Sequence, residues 1–205
     1  MFGPIAEIIE TQRLILEPPA VHDADEMAEV LGDPRLHDFM GGEPLTAAEL
    51  RARYEHLVAG PAPFHQEWWL TWIVRRRRDR RAVGYVQATV TPGTAGTPEA
   101  SGAREASGSP EAPGTREAPG TPALRADVAW VIGMPYQGFG FATEAAAAML
   151  RWLRDHAVRE ITAAVHPGNE PSAAVARKLG LHPTASRSGD EVVWRVVWKD
   201  MRKDE

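Results

Sequence analysis

The sequence predicts a mixed α/β fold with a partly antiparallel sheet. Three observations predict it. Residues 67–74 and 82–90 are two runs rich in Trp, Val, Ile and Tyr on either side of a charged turn, which is a hairpin pattern. Residues 124–132 form another strand that runs through a glycine-bearing loop into a long helix. A second strand–helix unit follows at 160–165 and 170–179.

Taken in order, Thr11-Gln12-Arg13-Leu14-Ile15-Leu16-Glu17 is the first strand. Residues 22–31 and 46–58 carry helical patterns. Asp23 or Asp25 is placed to cap the first, and Thr46 with Glu49 forms a capping box for the second. The hairpin strands come next, joined by Arg75-Arg76-Arg77-Arg78-Asp79-Arg80-Arg81, which reads as a solvated turn, with docking of an acidic partner or RNA as the alternative. On the first of them Trp68 and Trp72 share one face and Trp69 takes the other. One face is core; the other is a candidate wall for an acceptor cleft or a dimer contact. After strand 124–132 come helix 138–156, strand 160–165, helix 170–179 and a closing pair of strands near 181–186 and 191–199. The small residues of Ala145-Ala146-Ala147-Ala148 let that first long helix approach the sheet closely.

Residues 91–122 differ from the rest. They are almost entirely Gly, Pro, Ala, Ser, Thr, Glu and Arg, and they repeat: Gly96-Thr97-Pro98-Glu99-Ala100 returns as Gly108-Ser109-Pro110-Glu111-Ala112. Such a segment buries too little apolar surface to offset its ordering entropy. It reads as a disordered low-complexity insertion between two strands, a repeat expansion tolerated in a surface loop. A partner-binding tether is the alternative.

Composition narrows the function. Of 205 residues, 43% are hydrophobic and 25% charged, ordinary for a globular protein. A net charge of -5 argues against a general nucleic-acid binder and favours a cationic acceptor. There is no cysteine, so disulfides, thiolate metal sites and cysteine nucleophiles are excluded. No apolar run reaches membrane-spanning length and the N-terminus lacks a signal-peptide pattern, so a cytoplasmic setting is expected. The histidines have no metal-ligand spacing, and no metal is expected.

The segment from Asp127 to Ala145 carries the chemistry. A helix start presents unpaired N–H groups and the positive end of the helix dipole, and glycines before it let phosphates approach the backbone. The loop is therefore suited to a pyrophosphate held by main chain. A dinucleotide fingerprint fails, because Thr143 stands at the last glycine position and strand 160–165 ends without an acidic residue. No Gly-Lys-Ser/Thr is present, which excludes a Walker loop.

Gln137-Gly138-Phe139-Gly140-Phe141-Ala142 resembles the acetyl-CoA loop of the GNAT superfamily of N-acetyltransferases, whose pattern is Gln/Arg-x-x-Gly-x-Gly/Ala. The resemblance extends to strand 127–132, to Ala142-Thr143-Glu144-Ala145, to the run from Val165 to Leu181, and to Glu10–Leu16. The combination is similar to the ribosomal-protein N-terminal acetyltransferase (RimJ/RimL-type) branch and covers nearly the whole chain outside 91–122.

The resemblance implies a GNAT-like α/β (α+β) single domain over 1–205, with a mixed, mostly antiparallel twisted sheet flanked by helices. It implies acetyl-CoA as cosubstrate and direct transfer of its acetyl group to a primary amine, either a peptide N-terminus or a small molecule. A monomer or homodimer fits it. The amides of Gln137, Gly138, Phe139, Gly140, Phe141 and Ala142 take the pyrophosphate, and Trp130, Val131 and Ile132 flank the pantetheine arm. Asn169 positions the cofactor and Ser172 is a candidate donor to the departing thiolate. Ala176 stands where many members carry a tyrosine acid. Asp127 is the first candidate base, with Glu67 and His166 behind it. The acceptor is expected against helices 22–31 and 46–58 and the final hairpin. Two other classes compete: a non-catalytic acyl-CoA-binding or sensing module, and a dinucleotide-dependent oxidoreductase.

Overall fold

The computed structural model describes residues 4–59, 67–93 and 123–198. Its strands are β1 (Ile9–Glu10), β2 (Leu14–Glu17), β3 (Trp68–Arg76), β4 (Ala82–Pro92), β5 (Leu124–Ile132), β6 (Val158–Val165), β7 (His182–Ser188) and β8 (Glu191–Val197). They form one sheet in the order β1-β2-β3-β4-β5-β6-β8-β7. The β5–β6 pair is parallel and the other neighbouring pairs are antiparallel. The helices are α1 (Ala24–Leu31), a one-turn α2 (His37–Met40), α3 (Ala47–Ala59), α4 (Phe141–Asp155) and α5 (Glu170–Lys178).

Strand alternation sorts the sheet into two faces. On one, Trp72 of β3, Val86 of β4 and Val128 of β5 pack with Ala145, Met149 and Leu153 of α4 in the main core. On the other, Met27, Leu50 and Tyr54 from α1 and α3 meet Ile73 and Ala82 in a smaller cluster. Ala145, Ala146 and Ala148 are all buried, as close approach of α4 requires. Trp72 is fully buried and donates its indole N–H to the Glu7 carbonyl at 2.7 Å. Trp68 is half-buried on the same face, while Trp69 on the opposite face is 58% exposed.

Several expectations need correction. Residues 11–17 are not one strand: Thr11 N–H donates to the Leu14 carbonyl and Leu14 N–H to Thr11 Oγ1, each at 2.9 Å, which turns the chain between β1 and β2. Neither Asp23 nor Asp25 caps α1 through its side chain. A 3-10 turn, Val21–Asp23, precedes the helix, with Asp23 accepting Ala20 N–H at 2.7 Å, and Asp25 pairs with Arg51 at 2.8 Å. The box at α3 does form, Thr46 N–H reaching Glu49 at 2.8 Å.

The arginine run is not wholly solvated. Arg75 is 12% exposed and meets Asp23 and Glu26 at 2.6 Å and Glu17 at 3.1 Å, which pins α1 to the sheet. Arg76 lies 5.1 Å over the Tyr136 ring. Strand β4 also runs into the segment expected to be irregular: Thr91 and Pro92 pair with Arg125 and Leu124, and Gly93 N–H donates to the Ala123 carbonyl at 2.7 Å. The rest of that insertion, 94–122, lies outside the described residues. Helix α4 begins at Phe141 rather than 138, because Gly138 and Gly140 both take positive φ.

Candidate active site

The site starts where β5 and β6 separate. Their last paired rung is Asp127 with Thr162, yet β5 continues to Ile132 and β6 to Val165. The lengths no longer paired to each other open a wedge, with the start of α4 beyond one strand and the start of α5 beyond the other.

Between β5 and α4 the chain makes a short 3-10 turn, Met134–Tyr136, then passes Gly138 (φ 81°) and Gly140 (φ 78°). Side chains brace this loop from its neighbours. Gln137 Nε2 donates to the Ile132 carbonyl at 3.0 Å, and Arg13 Nη1 to the Phe139 carbonyl at 3.0 Å. Arg13 also gives Nε to Glu144 at 2.6 Å and its backbone N–H at 2.9 Å, and the Thr11 hydroxyl reaches the same carboxylate at 2.6 Å. Burial pushes the Glu144 carboxyl up, but the Thr11 and Arg13 hydrogen bonds outweigh it and hold the group below its ordinary range. Phe139, 61% exposed, stacks on Phe141 with centroids 5.9 Å apart, and the Arg13 guanidinium lies 5.1 Å over Phe141. Ala142 is half-buried against the main core.

The loop's amide N–H groups are left free from Gly138 onward, whereas that of Gln137, expected to join them, donates instead to the Met134 carbonyl at 3.3 Å. Glu144 N–H is the first to bond back, to the Gly140 carbonyl at 3.0 Å. Among the described residues no acceptor takes the N–H groups of 138–143. A run of unpaired amides at the positive end of a 15-residue helix, with no lysine beside it, suits a diphosphate. The wedge beside it suits an extended arm. These residues fit coenzyme A.

Across the wedge, the Trp130 indole N–H donates to Ser172 Oγ at 2.9 Å. Ser172 N–H donates to Asn169 Oδ1 at 3.1 Å, so Asn169 caps α5. The Ser172 oxygen is thus an acceptor toward Trp130, and its own proton is left to give elsewhere. Val131 is half-buried and pairs with Tyr85; Ile132 is buried in the main core. Asp127, exposed at the last rung, accepts the Thr162 hydroxyl. Alternation along β5 sets Asp127 on the α1/α3 face and Trp130 on the α4/α5 face. Glu67 accepts the Trp69 indole N–H at 3.4 Å. His166 accepts Gly168 N–H at 3.1 Å through Nδ1 and tilts against Phe39 at 5.5 Å. Ala176 is fully buried.

On the α1/α3 face a trough lies between α3 and strands β3 and β4. It consists of two hollows of ≈ 320 and ≈ 310 Å³ that share Arg53, Leu57, Thr71 and Gln87. One end is apolar, with Leu31, Leu36 and Leu50, and holds Tyr54 and Tyr85; the other is bounded by Trp69 and Thr89. Register ties the trough to the wedge: Thr71 pairs with Gln87 and Gln87 with Ala129, while Trp69 pairs with Thr89 and Thr89 with Asp127. Burial, helped by the Asp23 charge, pushes the Tyr54 hydroxyl up to about 12, and burial raises Tyr85 as well. The final hairpin, β7 and β8, lines neither hollow.

Arg53, Tyr85 and Gln87 escaped the sequence reading. The alternation of Tyr85, Gln87 and Thr89 with Val86, Ala88 and Val90 was the signal for a functional face on β4. Nothing local marked Arg53. Among the described residues no cluster of three or more His, Asp or Glu is gathered to hold a metal, and no helix is long and apolar enough to cross a membrane.

Residues 13–182 match the family model for the acetyltransferase (GNAT) domain. The fold is similar to that of ribosomal-protein-S5-alanine acetyltransferase from Vibrio fischeri: 16% identity, TM-score 0.67, covering 95% of this chain and 98% of that one. It is similar also to an acetyltransferase from Agrobacterium tumefaciens (22%, TM-score 0.61, covering 96% and 97%). RimL, a ribosomal L7/L12 alpha-N-protein acetyltransferase solved with coenzyme A, aligns at 12% identity and TM-score 0.62, covering 94% of this chain and 98% of that one. No curated protein matches the chain.

Proposed function

The chain belongs to the GNAT acetyltransferase family and is an acetyl-CoA-dependent acetyltransferase; from that premise we propose that its acceptor is a primary amine, a peptide N-terminus or a small molecule, which attacks the thioester directly. The observation that carries this reading is the run of unpaired amides at 138–143 beside the wedge between β5 and β6. Those amides hold the diphosphate, and the main chain of Trp130, Val131 and Ile132 flanks the arm.

Acetyl-CoA supplies an acyl carbon activated by a thiolate leaving group; the C–N bond forms as the C–S bond breaks. Asp127, on the acceptor side of the sheet, takes the proton that the ammonium must lose. Ser172, on the other side, gives its hydroxyl proton to the departing sulfur, with Trp130 fixing the direction in which it donates. The cap made by Asn169 keeps Ser172 at the first turn of α5. Amide N–H groups of β5 that face the wedge, beyond its last rung with β6, are suited to stabilise charge developing on the thioester oxygen.

We place the protein in the cytoplasm as one domain, 1–205, interrupted by the insertion, acting as a monomer or homodimer without a metal. An acceptor screen scored by acetylated product mass tests the function. Mass gain of one acetyl group on an amine, with matching release of thiol, is expected. The buried Ala176, where a tyrosine acid is common in the family, favours a second reading as an acyl-CoA sensor. Tight acetyl-CoA binding with no turnover on any amine would select it.

A further inference from the structure

We infer that the acceptor carries an anionic group close to its amine, a carboxylate on an apolar body, and that Arg53 is the residue that recognises it. This rests on the amine-acceptor reading above and names the class of amine.

Arg53 is exposed on α3 and lines both hollows of the trough. Among the described residues its guanidinium makes no ion pair or hydrogen bond. Its neighbours spend their charge internally: Arg51 on Asp25, Arg75 on Glu17, Asp23 and Glu26. Among the described residues no carboxylate lines the hollow bounded by Trp69 and Thr89; the ionisable residues there are Arg53 and His56. Among the described residues one carboxylate, Glu43, lines the apolar hollow, with Arg53 and His37. A polycation would meet a cation at the middle of this trough. The local charge therefore overrides the net charge of -5, which favours cationic ligands only at long range.

Placement brings the two charges to one side of the sheet. Arg53 lines the same hollow as Trp69 and Thr89, and Thr89 pairs with Asp127, so an anion at Arg53 and an amine at Asp127 lie on one face. The leucine-lined hollow beyond Arg53 accepts an apolar side chain. A guanidinium binds a carboxylate in a two-pronged geometry that a neutral amide cannot match.

Two pairs of acceptors test this and separate its possible sources. L-leucine against L-leucinamide probes a free amino acid; Ala-Glu-amide against Ala-Gln-amide probes a peptide N-terminus with an acidic neighbour. Spermidine is the cationic control. In at least one pair the acid form should exceed the neutral form about tenfold in kcat/KM, with the difference mostly in KM. Arg53→Met should bring that ratio toward one, and Arg53→Glu should reverse it. Spermidine or the neutral partners equalling the acids overturns the assignment, as does an unchanged ratio in Arg53→Met. If no amine turns over, the transferase reading fails separately. Thermal shifts of the CoA-loaded protein with the same pairs then decide: acid-selective, Arg53-dependent shifts support the assignment, and equal shifts overturn it.

Discussion

Gly140→Val probes the diphosphate loop through a backbone effect. Gly140 sits at φ 78°, ψ 11°, as the N-cap of α4. Space is not the obstacle, since a Cβ there would meet only Arg13 Nη2 at 3.6 Å. Conformation is. A β-branched residue in the left-handed region costs about 1–3 kcal/mol. The chain relieves that strain by rotating the peptides on either side, which turns the N–H groups of Gly140 and Phe141 away from their shared target. A hydrogen bond to a charged group contributes about 1.5–3 kcal/mol, so losing two weakens binding by about 3–6 kcal/mol, roughly 100-fold or more. Calorimetry with acetyl-CoA measures the loss, and a thermal melt checks that the fold persists. Gly140→Asn is the control, because asparagine tolerates positive φ and should recover much of the affinity. Unchanged affinity in Gly140→Val, or equal losses in both variants, would refute the role given to these amides.

Ser172→Ala should lower kcat about 100-fold while acetyl-CoA affinity moves little, as stopped-assay kinetics and calorimetry will read; an unchanged kcat removes Ser172 from the proton path. Arg75→Met leaves the carboxylates of Asp23, Glu17 and Glu26 without their shared cation and should destabilise the fold by about 3–5 kcal/mol in a urea titration. The same network gives an acid signature. Burial raises Glu26, but the Arg75 and Ala82 hydrogen bonds and the Arg75 and Arg81 charges outweigh it and lower it from its ordinary 4.5. A depressed carboxyl contributes stability above that ordinary value and loses it as pH falls through the folded one. The Arg75→Met stability curve should therefore be flatter than wild type below about pH 4.5. Replacing residues 94–122 by a two-residue Asn-Gly turn should preserve acetyl-CoA binding, because Gly93 and Ala123 are already hydrogen-bonded neighbours. Shortening that connection from about thirty residues to two should stabilise the fold by about 2 kcal/mol, read in a melt with and without ligand.

The elements with the strongest local pattern were the most legible. Strand β5 was read at its observed limits, because Ala126, Val128, Trp130 and Ile132 alternate cleanly and glycine follows. The loop and α4 were read from their glycines, yet the helix start was placed too early, since two positive-φ residues delay the first helical turn. The strand at 11–17 was read through a turn because the Thr11 side chain, not a glycine or proline, reverses the chain. Thr91 and Pro92 looked irregular by composition, but the pairing to Arg125 and Leu124 overrides it. Asp127, Trp130 and Ser172 were named from the chain; the Trp130–Ser172 hydrogen bond joins residues 42 apart and had no sequence signal. The acceptor trough was least legible. It brings α3, β3 and β4 together, and the value of Arg53 lies in its having no ion-pair partner among the described residues, a property of three dimensions.

Amide chemical shifts during titration with coenzyme A test the central claim most directly. The N–H signals of residues 138–143 should show the largest saturable shifts, and dephospho-CoA, which keeps the diphosphate, should shift them equally. Shifts confined to other segments, with 138–143 silent at saturation, would contradict it.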